Sequence, residues 1–144
     1  MLIEATCNQV NQDGGYTGIT PRDFVAYVHG IAAEEGLPGE LLIFGGDHLG
    51  PNAWTDLPAV EALAKAAVMV GDYVRAGLGK IHLDCSTSCA DAPVPLPART
   101  TATRAAPLCR PAAAALPRPP AAAPLHVPAP AVPVPGGAAA APHH

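Results

Sequence analysis

Asp47 and His48 follow two glycines at the end of an apolar run, Leu41-Leu42-Ile43-Phe44-Gly45-Gly46. A carboxylate at a strand end can act as general acid or base, and a neutral imidazole beside it can ligate Zn²⁺ or a similar divalent cation. The plainer alternative is an aspartate that caps a turn and a histidine that packs beside it. The pattern returns in Lys80-Ile81-His82-Leu83-Asp84-Cys85-Ser86. Side chains alternate along a strand, so His82 and Asp84 are expected on one face and Cys85 on the other. Asp47 and Asp84 are therefore candidate catalytic residues, and His48 and His82 candidate metal ligands. Asn8, Gln9, Asn11 and Gln12 offer neutral donors and acceptors suited to sugar hydroxyls or phosphate, or to an ordinary polar turn. Glu4 lies within an apolar run, where an unpaired acid is costly, so it is expected to be either a barrel-interior site residue or an acid whose partner this chain no longer contains. Cys85 and Cys89 have no second ligand pair and read as ordinary thiols.

Alternating strands and helices must carry these residues. Residues 2–7, 41–46 and 80–85 read as strands, about 39 residues apart at their starts. Thr20-Pro21-Arg22-Asp23 predicts a helix start, with Thr as N-cap, Pro at the first position and an acid three residues after the cap. Phe24, Val25, Val28, Ile31 and Ala32 continue it, and Gly36 with Pro38 ends it. A second helix opens at Pro58, runs its apolar face through Val60, Leu63, Ala64, Ala67, Val70 and Val74, and stops at Gly77. Near-continuous apolar strands between amphipathic helices mean parallel β-structure covered by helices. Right-handed crossovers put the carboxyl ends of such strands on one edge, where both doubly wound sheets and (β/α)₈ barrels build their sites. No GxGxxG or phosphate loop follows a strand, which favours the barrel. A barrel needs eight units and about 250 residues. Three strands and two helices make a partial (β/α)₈ barrel over residues 1–97.

Composition separates the remainder. All twelve acids fall at or before Asp91, opposed there by Arg22, Lys65, Arg75 and Lys80, a formal charge of −8. That balance argues against sequence-independent nucleic-acid binding. From Ala92 onward the chain uses nine residue types, holds fourteen of the eighteen prolines and has no Phe, Tyr or Trp. Few large side chains are available there to offset conformational entropy, so residues 98–144 are expected to form a disordered Ala/Pro-rich tail. All nine types have GC-rich codons, which suggests a shifted reading frame; sequencing the locus for a downstream frame encoding further barrel strands decides it. No signal peptide or membrane span is recognisable, and the four cysteines lack framework spacing. A cytoplasmic protein with reduced thiols is expected.

Ile3-Glu4-Ala5-Thr6-Cys7-Asn8-Gln9-Val10-Asn11-Gln12, Gly14-Gly15-Tyr16-Thr17-Gly18, Gly45-Gly46-Asp47-His48-Leu49-Gly50-Pro51-Asn52 and Lys80-Ile81-His82-Leu83-Asp84-Cys85-Ser86 closely resemble one family. It is the so-called non-catalytic, Z-type subunit of class II D-tagatose-1,6-bisphosphate aldolase, elsewhere described as a tagatose-6-phosphate kinase. The resemblance covers residues 2–97 and adds Asn52 to the candidate substrate-binding residues. It implies a (β/α)₈ barrel in galactitol or N-acetylgalactosamine catabolism that partners and stabilises the zinc-dependent catalytic aldolase subunit. Some relatives are metal-dependent ketose-phosphate 4-epimerases, the alternative function. No nucleotide motif supports the kinase description. Family members are several times longer, so a segment with at least one strand is expected before Leu2, and a fragment of this size is expected to be inactive alone.

Overall fold

The structure, a computed structural model, describes residues 1–115. Three parallel strands lie in the order β1 (Leu2–Thr6), β2 (Ile43–Leu49), β3 (Lys80–Leu83). Helix α1 (Pro21–Glu34) links β1 to β2, and α2 (Ala59–Arg75) links β2 to β3. This is the β/α alternation expected of a barrel segment. The capping box forms as the sequence predicts. The Thr20 hydroxyl accepts from the Asp23 backbone N–H, and the Asp23 carboxylate accepts from the Thr20 backbone N–H. Two otherwise orphaned donors of the first turn are thereby satisfied.

One face of the sheet is covered. Ala5, Phe44, Gly46 and Leu83 are buried against the helices, and Met69, Val70 and Tyr73 of α2 are buried among them. The buried stripe of α2 centres on Ala59, Ala62, Ala66, Met69 and Tyr73; of the expected face, Val70 and Val74 are buried beside it and Leu63 and Ala67 pack partly, while Val60 is exposed. Alanines at the first three positions let the helix axis approach the sheet, and the two large side chains fill the far end. Tyr73 donates its hydroxyl hydrogen to the Val10 carbonyl at 2.8 Å, tying α2 to the loop after β1. Burial pushes its phenol pKa well up. The opposite face carries Leu2, Glu4, Ile43, Asp47, Lys80 and His82 and is largely open.

β2 starts two residues later than expected, because Gly39–Leu41 makes a 3₁₀ turn, and it runs on through Asp47 to Leu49. β3 ends at Leu83, so Asp84 and Cys85 lie beyond it. The expected disorder of the tail is corrected for residues 98–115. These form α3 (Ala98–Ala105), a 3₁₀ turn (Ala106–Leu108) and α4 (Cys109–Ala115). Alanine is the strongest helix former. Leu108 is buried in the core, with Ala105 and Ala112 packed beside it, so one leucine and small neighbours suffice to anchor the segment. The expectation for residues 116–144 lies outside the described residues. No helix among the described residues is long and apolar enough to cross a membrane. All four cysteines are free, three of them buried.

Gly50 packs its Cα against the Asp84 carbonyl so closely that any Cβ would overlap that oxygen. Gly30 sits on the exposed side of α1 with open space around it. Gly30→Ala should therefore raise the thermal midpoint, gaining about 0.5–1 kcal/mol from helix propensity. Gly50→Ala should lower it, by roughly 1–3 kcal/mol of forced backbone displacement. Circular dichroism melts of both variants check this, and an unchanged midpoint for Gly50→Ala contradicts it.

Candidate functional site

The register across the sheet places the site. Thr6 is opposite Asp47, while Gly46 pairs with Ile81 and Leu49 with Leu83. Between these last two pairs β2 spends one residue more than β3, which is a β-bulge. His48 occupies the bulge with φ of 50°, the one non-glycine residue with positive φ among the described residues. Side chains of consecutive residues normally point to opposite faces. The left-handed residue cancels that alternation and turns His48 onto the face that Asp47 already occupies. Such conformations cost energy and are found where a side chain must be re-aimed.

Asp47 is the hub. Its Oδ2 lies 2.8 Å from His48 Nδ1 and its Oδ1 2.7 Å from His82 Nδ1, with Lys80 Nζ 3.3 Å from the same Oδ1. The imidazole rings of His48 and His82 are 5.0 Å apart, tilted by 59°. Burial pushes the Asp47 carboxyl up, but the hydrogen bonds from His82, His48 and Lys80 outweigh it and hold the group down at about 2. Asp47, His48 and His82 can each offer one ligand atom, all within 4.8 Å of one another. Two imidazoles and one carboxylate fit Zn²⁺ or another divalent transition metal and leave further coordination positions for substrate oxygens. The cluster stands at the carboxyl end of β2 and on β3, on the open face of the sheet.

The other candidates are dispersed. Asp84 is buried away from His82, and its carboxylate accepts from the Ser86 backbone N–H at 2.8 Å. Its separation from His82 follows from the end of β3 at Leu83, which stops the alternation that would have aligned the two. Asn11 is buried and wholly engaged in the loop: Nδ2 donates to the Cys7 carbonyl, and Oδ1 accepts from the backbone N–H groups of Asp13 and Gly15. Gln9 caps the end of β1 by accepting from the Thr6 N–H at 2.8 Å, and Gln12 donates to the Lys65 carbonyl of α2. These three amides build the loop. Asn8 is exposed and Asn52 half-buried. The Cys85 thiol is pushed up to about 12 by burial and by Asp84, which leaves it protonated and inert.

Lys80 is missing from the sequence-based site, although it shares a strand face with His82 by simple parity. The expectation that a partner of Glu4 would lie outside this chain is corrected, because Lys80 pairs with its carboxylate across the sheet.

Comparison with known proteins adds the family. The profile of the D-tagatose-1,6-bisphosphate aldolase subunit GatZ/KbaZ-like family matches residues 1–144. The chain belongs to that family. D-tagatose 6-phosphate 4-epimerase of Agrobacterium fabrum (strain C58 / ATCC 33970) is 61% identical over 138 residues, 96% of this chain and 32% of the relative. The GatZ subunit of D-tagatose-1,6-bisphosphate aldolase from Salmonella newport (strain SL254) is 52% identical over 141 residues, 98% of this chain and 33% of the relative. A crystal structure described as a probable tagatose 6 phosphate kinase from Sinorhizobium meliloti 1021 superposes with a TM-score of 0.78 at 57% identity, covering 81% of this chain and 30% of that one. The chain thus spans about a third of the length of the curated relatives it matches, and the three-stranded sheet with its helices is part of a (β/α)₈ barrel.

The depressed Asp47 pKa carries a signed prediction. A carboxyl whose folded pKa lies below its unfolded value stabilises the fold above the unfolded value, near 4, and loses that contribution as pH falls towards about 2. Acid titration of the wild type should therefore show a stability loss across that window which Asp47→Asn lacks. Identical acid limbs for the two proteins contradict the hydrogen-bonded hub.

Proposed function

We propose that this chain supplies the metal-holding part of a sugar-phosphate barrel acting as a metal-dependent ketose-phosphate 4-epimerase. The observation that carries this reading is the Asp47, His48 and His82 cluster, assembled by a bulge at the carboxyl end of a parallel strand. A purely structural strand end has no need of a left-handed histidine. The 61% identity to a protein named as a D-tagatose 6-phosphate 4-epimerase supports the same reading.

A divalent cation held by His48, His82 and Asp47 would supply Lewis acidity towards the oxygens of a bound ketose. The chemistry asked of the chain follows from the substrate. In a 2-ketose the carbonyl acidifies the hydrogens at C3, not at C4, so a direct proton swap at C4 is unfavourable. Removing the C4 hydroxyl proton and breaking C3–C4 gives an enediolate and an aldehyde. Turning the aldehyde to its other face, re-forming C3–C4 and returning the proton inverts C4 with no net loss of atoms or electrons. Asp47, held ionised at about 2, is a weak base. Its stronger roles are as cation ligand and as the acceptor that fixes both rings. With Nδ1 of His48 and of His82 held by Asp47, each ring keeps Nε2 for the cation, so both imidazoles would serve as ligands and the C4 hydroxyl would lose its proton on the cation's acidity.

The 52% identity to proteins named as aldolase subunits favours a second reading, an accessory subunit for a zinc-dependent catalytic tagatose-bisphosphate aldolase. That enzyme breaks the same C3–C4 bond, so the two readings share a substrate class. A chimera distinguishes them: this chain replaces the matching third of the Agrobacterium fabrum relative. The epimerase reading predicts divalent-metal-dependent interconversion of tagatose and fructose 6-phosphates, reduced at least about 10²-fold by Asp47→Asn. No turnover, with a raised melting temperature of added catalytic aldolase subunit, supports the accessory role instead.

A further inference from the structure

Beneath the cluster, on the same open face, lies a second row of side chains. Glu4 of β1 is opposite Gly45 of β2, and Gly45 is opposite Lys80 of β3. The outer two reach across the centre strand to pair, and Lys80 Nζ also stands 3.3 Å from Asp47 Oδ1. A Cβ at position 45 would lie 2.7 Å from Glu4 Oε1 and 3.1 Å from Lys80 Cδ, so the bridge needs glycine there.

The charges explain why the bridge matters. Asp47 Oδ1 already accepts from His82 at 2.7 Å. An ammonium committed to that same oxygen would compete with a divalent cation and repel it at short range. We propose that Glu4 is a positioning residue that takes the closer contact with Lys80, at 2.5 Å against 3.3 Å to Asp47, and so keeps the ammonium's hold on Asp47 long enough to leave the carboxylate available to both imidazoles and to a divalent cation. Lys80 then stays beside the cluster as a neutralised, tethered cation. This inference rests on the metal-holding reading of Asp47, His48 and His82.

The test uses Co²⁺ as the probe with the full 144-residue chain, following the visible absorption of the bound ion and its titration heat. Wild type should bind one equivalent. Glu4→Gln, with an unchanged circular dichroism spectrum, should weaken binding about tenfold, the range for loss of an outer-shell partner. Lys80→Met should bind at least as tightly as wild type, and Glu4→Gln/Lys80→Met should regain wild-type affinity. A merely structural role for the pair cannot yield that recovery, because both partners are then lost. Wild-type affinity in Glu4→Gln, or a double variant as weak as Glu4→Gln, overturns the inference while leaving the metal site standing. Absence of Co²⁺ binding by the wild type overturns both.

Discussion

A single extra residue in the middle strand gathers the side chains of the proposed site. Without the bulge between Gly46 and Leu49, His48 would point into the α2 side of the sheet, against the layer that holds Leu49 and Tyr73. With it, His48 shares a face with Asp47, and the parallel register brings His82 to the same carboxylate. Three side chains that can each offer a ligand atom, from two neighbouring strands, then need no loop to assemble them. Rigid strands position such groups better than loops do, and the left-handed backbone at His48 is the local cost of doing so.

The glycines around this strand are conditions of the same arrangement. Gly45 leaves room on the open face for the Glu4–Lys80 bridge, and Gly46 leaves room on the other for Tyr73, whose Cδ1 would stand 2.8 Å from an added Cβ. Gly50 lets the chain leaving β2 pass against the Asp84 carbonyl. The Gly-Gly-Asp-His-Leu-Gly run is thus a packing specification as much as a reactive motif. Its charged residues and its empty positions serve one purpose, which is to crowd a carboxylate with cationic and imidazole groups while α2 presses on the reverse side.

Much of this was readable in advance from local rules. Thr20 and Asp23 announce a capping box that forms as written, and apolar strands separated by helices imply the parallel order that is found. What local rules could not supply came from tertiary geometry. Alternation placed Asp84 with His82, but β3 stops at Leu83 and Asp84 turns inward to the Ser86 N–H. Alternation also gave no reason for Asp47 and His48 to cooperate, since a bulge leaves no mark in residue types beyond nearby glycines. Asn11 looked like a substrate group because its amide is generic, and only its hydrogen-bond partners reveal that the loop consumes it, while Gln9 commits its Oε1 to the Thr6 N–H. Residues 98–115 looked too poor in large side chains to fold, yet Leu108 and its alanine neighbours find α2.

Asp47, His48 and His82 together make the proposed divalent-cation site. Imidazole resonances followed by nuclear magnetic resonance during a Zn²⁺ titration of the whole chain test it most directly. The rings of His48 and His82 should respond together and saturate at one equivalent, before His29, His126, His143 or His144 respond. Saturation carried by those other histidines, with His48 and His82 unmoved, would contradict it.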